Sequence, residues 1–182
     1  GQSMKLIIIL IACLTMWACS THGETSKPTE TPISEQTVAE LENGITNKHP
    51  STYIILAKKL FDQEDKQNAV QWFYVGQIRY RAYLMANPDL DPSSDPALFS
   101  SLMSVVGTPL NEYIGGDVDE WVKTIDDAIA WHNNNPDEFL GKETHEDIYG
   151  TVISGLTGMR NKVESQKEFI KEQRTKNGLD NR

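Results

Sequence analysis

The sequence predicts an all-α protein, folded as an irregular bundle of helices. Three observations support this. Apolar residues recur at i, i+3, i+4 and i+7 spacing between residues 50 and 170. Proline, glycine and capping residues separate the periodic segments. The chain has no run of alternating β-branched residues that would indicate a strand. Beyond the N-terminal segment roughly 145 residues remain, which is typical of one domain.

The N-terminal segment is predicted to be a signal peptide. Residues 1–3 precede the plausible start Met4 and are interpreted as a cloning remnant. Lys5 is followed by an apolar run that is shorter than the roughly 20 residues a membrane span needs. The basic residue, the length and the small Ala18 are typical of a secretory signal at 4–18. A buried strand or core helix is the alternative, but neither a turn nor a cap follows the run.

The sequence "MWAC", which ends at Cys19, resembles a bacterial lipobox. This resemblance implies that Cys19 becomes the lipidated N-terminus and that the protein faces the periplasm, attached to the membrane through its lipid alone. Ser20 after the cysteine implies the outer membrane in an enterobacterium-like host. "LIAC" at Cys13 matches the lipobox better but leaves a very short apolar segment, so Cys13 is the alternative. Two or more acyl chains give stable anchoring.

Cleavage before Cys19 would leave the mature protein without a free thiol. Cys13 would be removed and Cys19 capped by lipid, so we expect no disulfide, cysteine metal site or cysteine nucleophile. Residues 19–34 are rich in Ser, Thr, Pro and Glu. This composition predicts a flexible spacer ahead of a helical domain at 35–176.

The first half of that domain predicts three helices. Ser34 caps a short helix that stops before Gly44. Pro50 begins a second helix, "PSTYIILAKKLFDQ", and a tight connection leads to a third at 67–87. Pro88 ends the third helix.

In the second half, proline, glycine and capping residues again mark the ends of helices. Asp95-Pro96 opens a helix that Gly107 is expected to close, and a short helical turn follows before Gly115. Asp117 and Glu120 are expected to form a capping box at the start of the next helix.

A long last helix is predicted from the cap Thr144 to about Lys176, with a disordered C-terminus at 177–182. Three glycines interrupt it, and each costs about 1 kcal/mol of helix stability relative to alanine. Close approach of another helix and simple local flexibility are both open as explanations. The three are Gly150, Gly155 and Gly158.

The two helices at 50–86 resemble a tetratricopeptide or Sel1-like hairpin. Only one such repeat is present, so the resemblance implies a single TPR-like hairpin within the bundle rather than a solenoid. The residues that carry it are Ala57, Leu60, Phe61, Ala69, Trp72, Phe73 and Tyr74.

The net charge of −9 argues against nucleic acid as a partner, because a basic face is the usual footprint of such proteins. The charge is unevenly distributed. Residues 89–147 contain fourteen Asp or Glu against two Lys, whereas residues from 160 onward contain seven Lys or Arg against four Asp or Glu. A solvated acidic face is the simpler interpretation. A surface that steers a basic partner is the alternative.

No arrangement predicts catalysis, a metal site or a cofactor. His132 lies near a predicted helix end and His145 lies in "THED", whose adjacent residues point to different faces. His49 precedes Pro50 and is interpreted as a turn residue or cap. The chain has no nucleophile elbow, P-loop or dinucleotide fingerprint. We therefore predict that the protein is not an enzyme.

The stretch "WFYVGQIRYR" places polar groups among aromatic residues. An isolated buried charge is very costly, so Arg81 is expected to form an internal ion pair with an acid from the second half. The alternative is a partner-binding surface of aromatic and charged residues. Aromatic residues and arginine are enriched in interface hot spots. The candidate contact residues are Trp72, Tyr74, Arg79, Tyr80, Asp117, Asp119 and Glu120.

Three segments together are similar to immunity proteins encoded beside type VI secretion effectors: "WFYVGQIRYRAYL", "DPALFSSLMSVVGTPLNEYIGGDVDEW" and "TIDDAIAWH". The resemblance covers most of residues 50–135. It implies a periplasmic lipoprotein that binds a secreted toxin, with a phospholipase as one candidate, and neutralises it by occlusion. The alternatives are an envelope scaffold that binds a protein partner through the TPR-like surface, and a solute-binding or enzymatic lipoprotein.

Overall fold

The computed structural model describes residues 31–182, whose regular secondary structure is all helical and includes no strand. The predicted all-α class is thereby confirmed. The predicted signal peptide, Cys19 and most of the spacer lie outside the described residues. The α-helices are α1 (Val38–Glu42), α2 (Ser51–Asp62), α3 (Lys66–Ala86), α4 (Asp95–Leu102), α5 (Thr108–Ile114), α6 (Val118–Asn134), α7 (Glu146–Ser165) and α8 (Lys167–Lys176).

Helix α3 is the centre of the bundle. It packs against α2, α4, α5, α6 and α7, which is why apolar residues occur on nearly every side of it. Each fully buried large apolar side chain contributes about 1.5–3 kcal/mol to folding. The core includes Leu41, Ile54, Leu56, Ala69, Val70, Phe73, Val75, Leu110, Ile114 and Ile125.

The α2–α3 pair forms where the sequence predicts a helical hairpin. Gly76 of α3 allows the two helices to approach closely, because an added Cβ would lie 2.8 Å from Ile54 Cγ1 and 2.9 Å from Tyr53 Cβ. The likeness of this pair to a tetratricopeptide hairpin stays a prediction. Between residues 31 and 182, no helix has both the length and the apolar character that crossing a membrane requires.

The first helix begins later than predicted, at Val38 instead of after Ser34. Thr37 is the cap: its hydroxyl accepts from the Glu40 amide at 3.3 Å, and the Glu40 carboxylate accepts from the Thr37 amide at 2.7 Å. Because Ser34 has no carboxylate three residues later, it cannot form this reciprocal pair.

Gly107 does not close a helix as predicted. Its backbone is right-handed, with φ −67°, and a π-helical turn at Met103–Gly107 leads directly into α5. An added Cβ would lie 2.7 Å from Phe73 Cζ. The glycine is therefore explained by close contact with α3 and not by a helix end.

The long last helix is broken into α7 and α8 at Gln166, and Thr144 is not its cap. Thr144 belongs to a 3-10 turn, where its hydroxyl donates to the Gly141 carbonyl at 2.9 Å. Added Cβ atoms on the three glycines of α7 would meet nothing within 4 Å. Close approach of another helix is therefore not their explanation in the described part of the chain.

The C-terminal segment 177–182 differs from the predicted disorder because it packs against α5. The Arg182 amide donates to the Gly116 carbonyl at 2.7 Å, and the Arg182 guanidinium lies 3.8 Å from the centre of the Tyr113 ring. Arg174 of α8 donates to the Asp180 carbonyl at 2.8 Å. These contacts attach the tail to the bundle.

Candidate functional site

Three of the predicted partner anchors lie inside the bundle. The exposed fractions of Tyr74, Arg79 and Tyr80 are 1%, 1% and 0%. In this fold they cannot reach a partner, because neighbouring helices cover the faces of α3 on which they lie. Trp72 is half-buried, and its ring centre lies 4.9 Å from that of Trp131.

The buried tyrosines join α3 to other helices. Tyr74 donates to Asn111 Oδ1 at 3.2 Å and accepts from Trp121 Nε1 at 2.6 Å. Burial raises the pKa of Tyr74 to about 12. Tyr80 donates to Asp95 Oδ1 at 2.5 Å. These phenols therefore cross-link the bundle, as buried hydroxyl groups need partners.

Arg79 is the centre of a buried polar cluster. Its Nη1 donates to Tyr53 Oη at 2.5 Å and its Nη2 donates to the Pro136 carbonyl at 2.7 Å. Its Nε lies 3.9 Å from Asp137 Oδ2, which also accepts a hydrogen bond from the Tyr149 hydroxyl. Burial raises the pKa of both Tyr53 and Tyr149, so the two phenols stay neutral.

The internal ion pair predicted for Arg81 is thus made by Arg79. Arg81 is exposed, and its Nη2 donates to Gln77 Oε1 at 3.4 Å. The prediction of a buried pair with an acid from the second half was correct in kind and wrong in residue. Spacing along α3 could not decide which arginine faces inward, because apolar residues occur on nearly every side of this helix.

The predicted acidic contacts belong to intramolecular pairs. Asp117 caps α6 by accepting from the Glu120 amide at 3.0 Å; the reciprocal half of the predicted capping box does not form. Asp119 pairs with Lys167 of α8, and Glu120 lies 3.4 Å from Arg182. Asp119 and Glu120 therefore hold the C-terminal region against α6, whereas Asp117 caps the helix itself.

Ser51, His49 and Asp95 form an arrangement that sequence reasoning missed. His49 Nδ1 lies 2.8 Å from Ser51 Oγ, and His49 Nε2 lies 3.1 Å from Asp95 Oδ1. Serine hydrolases use the same three residue types, linked by hydrogen bonds, as their catalytic triad. Here Asp95 is distant in sequence, so no motif could have indicated the arrangement.

This arrangement has the contacts of a helix cap. The Ser51 amide donates to His49 Nδ1 at 3.2 Å, so the imidazole nitrogen that would act as base already accepts from the backbone. Ser51 is 6% exposed and lines neither of the grooves described below. Burial lowers the pKa of His49, although Asp95 has the opposite effect. The lowered pKa favours the neutral ring. The predicted role of His49 as a cap agrees with these contacts.

Two apolar grooves lie along α7. We define the α3–α7 groove by Ile78, Arg81, Met85, Phe99, Gly155 and Leu156; it has a volume of about 460 Å³. We define the α6–α8 groove by Trp121, Val163, Phe169, Ile170 and Arg174; it has a volume of about 400 Å³. Met159 lines both grooves.

The grooves expose large apolar side chains. Met85 is 47% exposed, Met159 37% and Phe169 57%. Contiguous exposed apolar surface is typical of interaction sites. Met159 and Ile170 recur with Val152, Leu156 and Val163 at helical spacing, which predicts a buried stripe, whereas nothing in the sequence singles out Phe169. The signal was missed because periodicity cannot show that a helix face has no neighbour.

Within residues 31–182 no group of three or more His, Cys, Asp or Glu side chains is arranged to hold a metal ion. Comparison with known proteins adds no relative: no family model, curated protein or solved structure matches the chain.

Proposed function

We propose that this protein is a periplasmic immunity lipoprotein, which binds an antibacterial type VI secretion toxin and neutralises it by occlusion. A phospholipase is the toxin class that the sequence resemblance suggests. The observation that carries the proposal is the α6–α8 groove, where Phe169 is 57% exposed beside Trp121 and Met159.

The composition of this groove suits protein binding. Aromatic residues and arginine dominate interface hot spots, and the groove combines Phe169, Trp121 and Arg174. No residue of α8 is buried, so folding does not require an apolar ring at position 169. Covering that ring with a partner would remove apolar surface from water.

Inhibition by occlusion requires a rigid binding surface and does not require catalytic residues. Helix α8 is fixed to the bundle by Lys167–Asp119 and by Arg174, which donates to the Glu112 carbonyl at 2.8 Å. A pre-arranged face loses little conformational freedom on binding. A stable interface of about 800 Å² per partner would extend beyond the groove and could cover the mouth of a toxin active site.

The acidic balance supports this type of partner. The net charge of −9 would accelerate encounter with a basic toxin surface, and this effect weakens as salt rises. The contact acids predicted from the sequence already have partners within the protein, so we assign steering to the overall charge and anchoring to the groove.

The scaffold alternative receives less support. It requires an open face on the α2–α3 hairpin, but seven of the twelve residues of α2 and ten of the 21 residues of α3 are buried. Much of the hairpin surface is therefore already covered by the bundle, which leaves less of it for docking.

The experiment is a binding assay with the proteins encoded by neighbouring genes. We expect one of them to bind at nanomolar concentration, and Phe169→Ala to weaken that binding about 30-fold, as a hot-spot loss of about 2 kcal/mol implies. Val105→Ala is the matched control, because Val105 is 62% exposed and lies outside both grooves. Equal effects of the two substitutions, or no binding by any neighbour, would refute the proposal.

The anchor is tested separately. Mass spectrometry of the N-terminus, on protein produced from Met4 in a bacterial envelope, should find an acylated Cys19 that Cys19→Ala removes. Acylation at Cys13 would correct the site and keep the anchor. An unprocessed chain would remove the periplasmic location from the proposal.

A further inference from the structure

Arg81 differs from every other arginine of the chain. The other four are held by carboxylates or backbone carbonyls: Arg79 by Asp137 and Pro136, Arg160 by Asp126, Arg174 by Glu112 and Asp180, and Arg182 by Glu120. Arg81 contacts Gln77 Oε1 at 3.4 Å and lies 5.2 Å from the centre of the Phe99 ring. No carboxylate within residues 31–182 forms an ion pair with it.

This unpaired cation lies at the wall of the α3–α7 groove, whose other lining residues are apolar apart from Gln77 and Thr151. Ile78 is 1% exposed and Leu156 is half-buried, whereas Met85 is open to solvent. Gly155 contributes no side chain, and an added Cβ there would meet nothing within 4 Å. The groove is therefore open along α7 and carries one positive charge.

We propose that the α3–α7 groove binds a single-chain fatty acid. The carboxylate accepts hydrogen bonds from the guanidinium of Arg81, and the alkyl chain lies along Met85, Leu156 and Met159. A carboxylate can accept two parallel N–H bonds from an arginine, which gives the head group a defined orientation. Gln77 lines the same groove and can donate through its amide nitrogen.

Size and chemistry favour this occupant. The groove volume of about 460 Å³ lies within the range of about 300–1,000 Å³ typical of small-molecule sites. A ligand with one anionic end and an otherwise apolar body matches one arginine in an apolar wall. Met85 and Met159 are unbranched and can adjust to chains of different length.

The first test measures binding of saturated fatty acids, from decanoate to hexadecanoate, to the full chain in detergent-free buffer below their micelle concentrations. Affinity should rise about fourfold per methylene, since each buried methylene contributes about 0.8 kcal/mol, until the groove is filled. Alcohols of equal length should bind about tenfold more weakly, because they lack the charge-assisted hydrogen bonds. Affinity independent of chain length would overturn the proposal.

Two substitutions then locate the site. Arg81→Gln should reduce fatty acid affinity to that of the matching alcohol and leave alcohol binding unchanged. Gly155→Leu should fill the groove and abolish binding of both ligands. Gly150→Leu is the matched control, because Gly150 is also an open glycine of α7 but does not line the groove.

Equal fatty acid affinity for the wild type and Arg81→Gln would overturn the proposal, as would equal effects of the two leucine substitutions. Binding of an amphipathic peptide in the absence of fatty acid binding would also overturn it and would identify the groove as a peptide site. Thermal melting of each variant checks its folding. The proposal is independent of the toxin-binding function, since Phe169→Ala should leave fatty acid binding unchanged.

Discussion

Arg79 and Arg81 are two residues apart on α3 and have opposite environments. A helix turns about 200° over two residues, so their side chains leave α3 on opposite faces. Arg79 points into the bundle and is held by Tyr53, Pro136 and Asp137, whereas Arg81 stands at an open groove. The same residue type is thus structural at one position and accessible to a ligand at the other.

We predict that Asp137→Asn destabilises the fold by about 3–5 kcal/mol, because it leaves the buried Arg79 charge without a counter-charge. Urea denaturation of the variant would measure the loss. Asp127→Asn is the control, since its pair with Lys123 is exposed and should contribute less than about 1 kcal/mol. A loss at Asp137 as small as at Asp127 would contradict the inferred role of the buried pair.

His132 makes the stability depend on pH. Burial, with smaller effects of Arg79 and Lys142, lowers the pKa of His132 to about 3 in the folded state. The unfolded chain takes up this proton near pH 6.5, so the stabilisation is complete above that value and is lost as pH falls toward about 3.

We therefore predict that the stability difference between the wild type and His132→Gln shrinks from pH 6.5 to pH 5, by at most about 2 kcal/mol. Urea denaturation of both proteins at several pH values would measure this difference. Because all other titrating groups are shared, their contributions cancel in the comparison. A difference that stays constant over this range would show that the folded protein takes up the proton as readily as the unfolded chain.

At the scale of elements, glycines divide into two groups by what surrounds them. Gly76 and Gly107 lie where helices meet, with an Ile54 or Phe73 carbon less than 3 Å from the place of a Cβ. The glycines of α7 have open space instead. The first group permits packing, whereas the second weakens its helix without a packing benefit.

We predict opposite effects of alanine at these positions. Gly76→Ala and Gly107→Ala should destabilise by about 1–3 kcal/mol through overpacking. Gly150→Ala and Gly158→Ala should each stabilise by about 0.5–1 kcal/mol through helix propensity. Thermal unfolding distinguishes the two signs. Stabilisation by Gly76→Ala would mean that α2 and α3 approach less closely than described.

At the scale of the whole molecule, the uneven charge of the sequence is partly resolved by internal pairing. Acids of α6 face bases of α7, α8 and the C-terminal segment: Arg160 Nη2 lies 3.1 Å from Asp126 Oδ2, and Lys167 pairs with Asp119. The basic C-terminal region therefore packs on the acidic helix that precedes it. Exposed pairs of this kind contribute about 0.2–1 kcal/mol each.

We predict that Arg160→Gln combined with Lys167→Gln destabilises the protein by about 1–2 kcal/mol at low salt. In 1 M salt most of this loss should vanish, because the Debye length falls to about 3 Å. Urea denaturation at the two salt concentrations measures both values. Lys176→Gln is the control: its partner Glu172 belongs to the same helix, so the pair does not join elements. A loss that is unaffected by salt would indicate packing by the arginine stem instead.

The sequence by itself determined the helical class and half of the helix positions, because periodicity, proline and capping residues act locally. It placed α2, α3, α5 and α6 near their observed bounds. It also indicated that one arginine of α3 would need a buried acid. These conclusions depend on residues a few positions apart, and a sequence pattern carries information only about residues that are this close in the chain.

Only the tertiary structure decided which faces are covered. It buried Tyr74, Arg79 and Tyr80, and left Phe169 and Arg81 open. It also replaced the predicted stop at Gly107 with a packing contact. The physical reason is the same throughout: burial depends on the neighbours that surround a helix, and those neighbours come from distant parts of the chain.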